Sequence, residues 1–126
     1  MAAKLADAVR AAAEDGRVLA RDFPGGAGQD ELPFAVTAAF DARVRGQVER
    51  DPRIEDERDR VLIAAVKLAQ TPPAEEPDGF VKARAGLIAA IDALERATLR
   101  HGIVSARGAR AGGGAPGERL AQQPSA

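Results

Sequence analysis

The sequence predicts an all-α protein, an irregular four-helix bundle with a disordered C-terminal tail, and three observations carry that expectation. Four segments repeat apolar residues at three- and four-residue spacing, the period of an α-helix. Clusters of proline and glycine separate those segments, where a helix cannot continue. The chain is rich in alanine, has four phenylalanines and lacks Trp, Tyr and Cys, so its core must come from small aliphatic side chains on closely approaching helices. A length of 126 residues suits one domain. The expected division is a helical bundle domain, 1–102, and a flexible Gly/Ala/Arg-rich tail, 103–126.

The first helix is expected over 3–22, with Leu5, Val9, Ala12, Gly16, Leu19 and Phe23 as its buried stripe. Gly16 either admits a close neighbour or ends the helix near Asp15. The stripe keeps its phase through the glycine, which favours one continuous helix. The following FPGGAGQ breaks it. A phosphate-cradling loop would need a lysine followed by Ser or Thr, or a preceding strand, and neither is present, so the stretch reads as a plain turn.

A second helix is expected over 31–48, with Asp30 as N-cap and Pro33 in the first turn. Val36, Phe40, Val44 and Val48 form a row with Leu32 near its start, and Gly46 signals early fraying. Asp51 and Pro52 open a third helix over 52–70, buried through Ile54, Val61, Ala65 and Leu68. Ile63 lies off that line, on a face with Asp56, Arg60 and Lys67, and is the best candidate for an exposed apolar contact. TPPAEEP then ends the helix.

The strongest periodic signal is the fourth segment, 79–101, with Asp78 as N-cap and Gly102 as its stop. Phe80, Leu87, Ile91, Leu94 and Thr98 fall on one line, flanked by Ile88, Val81 and Leu99 on one side and Ala83, Ala90 and Ala97 on the other. Such an arc covers about half the wheel, which implies contact with two neighbours and a place near the middle of the bundle. Arg84 and Glu95 interrupt it. Either their stems pack while their charged ends reach water, or one of them pairs across an interface. Beyond about Val104 the chain has too few large apolar residues to bury and reads as disordered.

The chemistry is read mainly by exclusion. The formal charge of −1 gives no overall steering toward nucleic acid or anionic lipid. It hides an asymmetry: residues 1–101 hold fifteen basic and eighteen acidic groups, net −3, whereas Arg107, Arg110 and Arg119 against Glu118 give residues 102–126 a net +2. Without cysteine there is no disulfide, thiol nucleophile or thiolate metal site, which fits a reducing compartment. His101 is the sole histidine, so no metal or cofactor site is expected. Ser105 and Ser125 fall in the tail, where no catalytic base can be held, and no enzyme is expected. No secretory signal and no membrane-spanning run is recognisable, so a cytoplasmic location is the default. Fifteen arginines against three lysines point to a GC-rich, bacterial coding sequence.

What remains is a small interaction module that binds itself or another protein, with Val18, Ile63 and Arg84 as candidate contacts. The alternative is a weak nucleic-acid binder that uses Arg96 and Arg100 of the last helix and Arg107 and Arg110 of the tail. A helix-turn-helix made of the second and third helices is disfavoured, because Glu55, Asp56, Glu57 and Asp59 would face phosphate. The lack of aromatics also removes base-stacking platforms.

Overall fold

A computed structural model describes residues 3–26 and 31–104. Four helices follow one another: α1 (Ala3–Asp22), α2 (Leu32–Arg43), α3 (Pro52–Gln70) and α4 (Pro77–His101). Each packs on its neighbours in chain order, and α4 closes the ring on α1. Arg17 reaches Asp92 and Glu95 while Arg84 reaches Ala20 and Phe23, so α1 and α4 run antiparallel. The same logic sets α2 against α3, through Asp41 with Arg58 and Arg45 with Glu55.

Every helix therefore has two principal partners, and the expectation that α4 sits nearer the middle than the others is corrected to a ring without a central member. Its wide arc serves both partners. Phe80, Ala83, Leu87, Ile91, Leu94 and Thr98 are buried, and the Thr98 hydroxyl is satisfied by donating to the Leu94 carbonyl at 2.7 Å. Val81, read as a flank of that arc, is 62% exposed.

Helix α1 runs unbroken through Gly16, and the glycine is there for close approach. A Cβ at that position would lie 3.3 Å from Cδ1 of Ile91 on α4, closer than ordinary van der Waals contact. Toward its end the buried stripe follows four-residue steps to Ala20 in place of Leu19, which is 37% exposed. Phe23 closes the stripe and stacks on Phe80, ring centroids 6.2 Å apart. Gly25 follows in the left-handed region, φ 87°, where a side chain would be strained and would also strike Pro73 at 2.8 Å. The α1–α2 and α3–α4 connections thus lie against each other at one end of the bundle.

Helix α2 is shorter than its apolar row suggests. It ends at Arg43, Val44 leaves helical geometry, and Arg45–Gln47 make a single 3₁₀ turn. Val44 and Val48 are nevertheless buried, because the tight turn and an extended Val48 return both side chains to the core. The N-cap expected at Asp30 lies outside the described residues. Glu31 stands at the cap position with no side-chain bond, and Pro33 occupies the first turn.

Helix α3 has the expected bounds. The Asp51 carboxylate accepts from the Arg53 amide at 2.8 Å and from the Arg53 guanidinium, a combination that holds its carboxyl down at about 2. Helix α4 starts two residues earlier than expected, with Pro77 in its first turn. Asp78 then sits inside the helix near the positive dipole end instead of capping it.

At the opposite end of the bundle Val48 and Val104 form an isolated antiparallel bridge, with the Glu49 amide donating to the Ile103 carbonyl at 2.7 Å. Ile103 and Val104, placed in the tail by the sequence, are thereby tied to the α2–α3 connection. The rest of that segment, including Arg107 and Arg110, lies outside the described residues.

Candidate functional site

The surface between α3 and α4 carries two clefts, and the residues lining them come from the polar flanks of both helices. Because the helices are antiparallel, the first half of α3 faces the last half of α4, and the second half of α3 faces the first half of α4.

One cleft, of about 290 Å³, is apolar at its base and cationic at its rim. Ala64, Ala83 and Gly86 are small enough to leave a groove, Ile63 stands beside it 68% exposed, and Arg60, Lys67 and Lys82 surround it. An isoleucine wetted to that extent loses the benefit of burial, roughly 1.5–3 kcal/mol for a fully buried side chain. Ile63 is where its off-phase position in α3 puts it.

The other cleft, of about 390 Å³, is dominated by charge. Arg53, Arg60, Arg96 and Arg100 line it with His101, against Asp56 and Glu57. Arg53 is held by Asp51 and Arg60 by Glu57 at 3.1 Å. Arg96 and Arg100 meet no carboxylate among the described residues. Two of the four arginines assigned to the alternative function, Arg96 and Arg100, are therefore brought into one cleft, and the structure adds Arg53 and Arg60, which the sequence reading did not single out. Helical spacing could have supplied Arg60, which shares a face with Asp56 and Ile63, but the pairing of α3 with the far half of α4 is a property of the fold.

Val18 is 39% exposed on α1 beside Leu19 and lines neither cleft. Arg84 is committed to the fold. Its guanidinium donates to the carbonyls of Ala20 and Phe23 and lies 4.8 Å from the centre of the Phe80 ring. Glu95, the other charge inside the apolar arc, accepts from Arg17, which also holds Glu14 and Asp92. These bonds, that to Glu95 foremost, push the Arg17 guanidinium further toward its protonated form, and those from Arg17 and then Arg21 lower the Glu14 carboxyl. Phe34, on the first turn of α2, is 81% exposed and was missed by the sequence reading; it lies opposite the Val36 row, the same off-phase signal that marked Ile63.

The interior offers a void of about 20 Å³, lined largely by apolar groups of all four helices. Among the described residues no three His, Asp or Glu side chains are grouped to hold a metal, and no helix is long and apolar enough to cross a membrane. No family model matches the chain, and neither the curated proteins nor the solved structures offer a significant match.

Proposed function

We propose that the protein is a small, non-enzymatic helical interaction module whose docking face is the Ile63 groove between α3 and α4. The observation that carries this reading is an apolar knob beside a groove floored by Ala64, Ala83 and Gly86 and ringed by Arg60, Lys67 and Lys82. An isolated surface isoleucine needs no explanation. One beside a groove floored by small residues, with cations at its edge, has the form of a seat for an apolar side chain flanked by carboxylates. The partner best fitted is another protein presenting an amphipathic helix with acidic flanks. Two copies of the chain meeting face to face through this groove would bring six cations together, so two-fold self-association on this surface is disfavoured.

The test is capture from the native host by the full chain and by an Ile63→Arg variant with unchanged circular dichroism. Proteins retained by the first and lost by the second, identified by mass spectrometry, support the reading. Identical capture by both, with light scattering showing a monomer across a concentration series, removes it.

A second reading, nucleic-acid binding through Arg96, Arg100, Arg107 and Arg110, is favoured by the convergence of Arg96 and Arg100 with Arg53 and Arg60 in one cleft. Arg107 follows Val104 by three residues, a reach of about 10 Å at full extension, so it can approach the same end of the bundle. Salt-dependent affinity for an oligonucleotide that falls when all four arginines are replaced by glutamine would support it, and affinity unchanged by those replacements would refute it.

A further inference from the structure

Among the described residues the arginines are almost all spoken for. Arg10, Arg17, Arg21, Arg43, Arg45, Arg50, Arg53, Arg58 and Arg60 each meet a carboxylate, and Arg84 takes two backbone carbonyls. Among the described arginines, Arg96 and Arg100 alone have no acceptor within the described chain, and both line the larger α3–α4 cleft. They stand one helical turn apart on α4, where like charges about 5–6 Å apart repel and weaken the helix. A chain that pairs its other described guanidiniums leaves these two facing a common space.

We infer that this cleft binds a phosphate-bearing anion between Arg96 and Arg100. A phosphate group suits the geometry. Two planar guanidiniums on successive turns can each offer a two-pronged donor to one group of oxygens, and the bound charge removes their mutual repulsion. Arg53 and Arg60 stand on the facing wall of α3, close enough to share the cleft though held by Asp51 and Glu57. Asp56 opposes binding. It is exposed, has no cationic partner among the described residues, and faces the same cleft, so it moderates the affinity without abolishing the excess of positive charge. The cleft is open and has no Phe, Tyr or Trp wall, the His101 imidazole being its one aromatic ring, which suits recognition of phosphate charge more than of a base. This site shares its arginines with the nucleic-acid reading but requires neither a base nor the tail.

The experiment is a titration of the full chain with sodium tripolyphosphate, followed by amide chemical shifts along α3 and α4 and by calorimetry, at fixed ionic strength. A short single-stranded oligonucleotide and an oligoglutamate peptide are run alongside. Arg96→Gln with Arg100→Gln is expected to weaken tripolyphosphate binding by about tenfold or more, as removal of charge-assisted hydrogen bonds implies. Asp56→Asn is expected to strengthen it, a change that a purely structural role would not produce, and Arg10→Gln on α1 is expected to leave it unchanged. Tripolyphosphate binding unaffected by Arg107→Gln and Arg110→Gln marks a small phosphate ligand. Tighter oligonucleotide binding that those two variants weaken marks a nucleic-acid backbone as the source of the phosphate. Absence of saturable shifts with either phosphate ligand overturns the inference, as does equal binding by the Arg96/Arg100 variant or oligoglutamate binding as tightly as tripolyphosphate.

Discussion

Arg84 on α4 donates its Nε hydrogen to the carbonyl oxygen of Ala20 in the last turn of α1, at 2.9 Å. Carbonyls at a helix end have no partner inside their own helix, so a side chain from the neighbour completes α1 while its own charge meets the negative dipole end. Arg84→Ala is expected to destabilise the protein by about 1.5–3 kcal/mol in urea denaturation, the range for a lost hydrogen bond to a charged group. Arg84→Lys should recover part of that loss, since an ammonium cannot fork to two carbonyls. An alanine variant as stable as the parent would show the cap to be idle.

Truncating the core should separate the two kinds of apolar residue. Leu87 and Ile91 are buried between α4 and its partners, and Leu87→Ala or Ile91→Ala should each cost about 2–5 kcal/mol. Ile63→Ala should change the stability of the isolated chain by less than about 0.5 kcal/mol. Comparable losses at Ile63 and Leu87 would contradict the exposed position of Ile63.

Gly16 weighs helix propensity against crowding. Replacing a mid-helix glycine with alanine gains about 1 kcal/mol where space allows, but here the new methyl meets the terminal carbon of Ile91. That atom can yield by a few tenths of an ångström, so Gly16→Ala is expected to stay within about 1 kcal/mol of the parent. Gly16→Leu cannot be accommodated in this way and should lose about 1–3 kcal/mol or more. Adding Ile91→Val to Gly16→Ala should cost less than Ile91→Val alone, a coupling that a double-mutant cycle measures.

Acid should loosen the start of α3 late. The Asp51 carboxyl is held below its ordinary 3.8, at about 2, by its bonds to Arg53. A group whose folded value is depressed contributes stability that is present above the unfolded value and lost as pH falls through the folded one. Protection of the Arg53 and Ile54 amides, taken relative to their intrinsic exchange rates, should therefore fall between about pH 4 and about pH 2. Asp51→Asn, which can still cap but does not titrate, should flatten that dependence at this helix end. An unchanged profile in the variant would assign the effect to other carboxylates.

The parts of the fold legible in the sequence are those where backbone chemistry and hydrophobic phase agree. The sequence bounds helix α3 to the residue, because Asp51 and Pro52 start it and Pro72 and Pro73 forbid its continuation. The sequence predicts too long an α2, because Val44 and Val48 satisfy a helical row yet reach the core through a 3₁₀ turn and an extended residue, and a side-chain pattern alone does not distinguish those routes. Leu19 fits the stripe by its three-residue step from Gly16, as Ala20 does by a four-residue step, and the spacing alone does not choose between them. The backbone turns Ala20 toward the interior. For the surface, Ile63 was visible as an off-phase residue, whereas the role of Arg84 was not, since its acceptors lie more than sixty positions away.

The short pairing of Val48 with Val104 has a mechanical meaning. Tension applied through the C-terminal extension does not load the last helix alone. It also meets a single backbone hydrogen bond, from the Glu49 amide to the Ile103 carbonyl, on the segment between α2 and α3. Whatever holds that extension therefore tugs on two points of the scaffold at once, the end of α4 and the connection that joins α2 to α3.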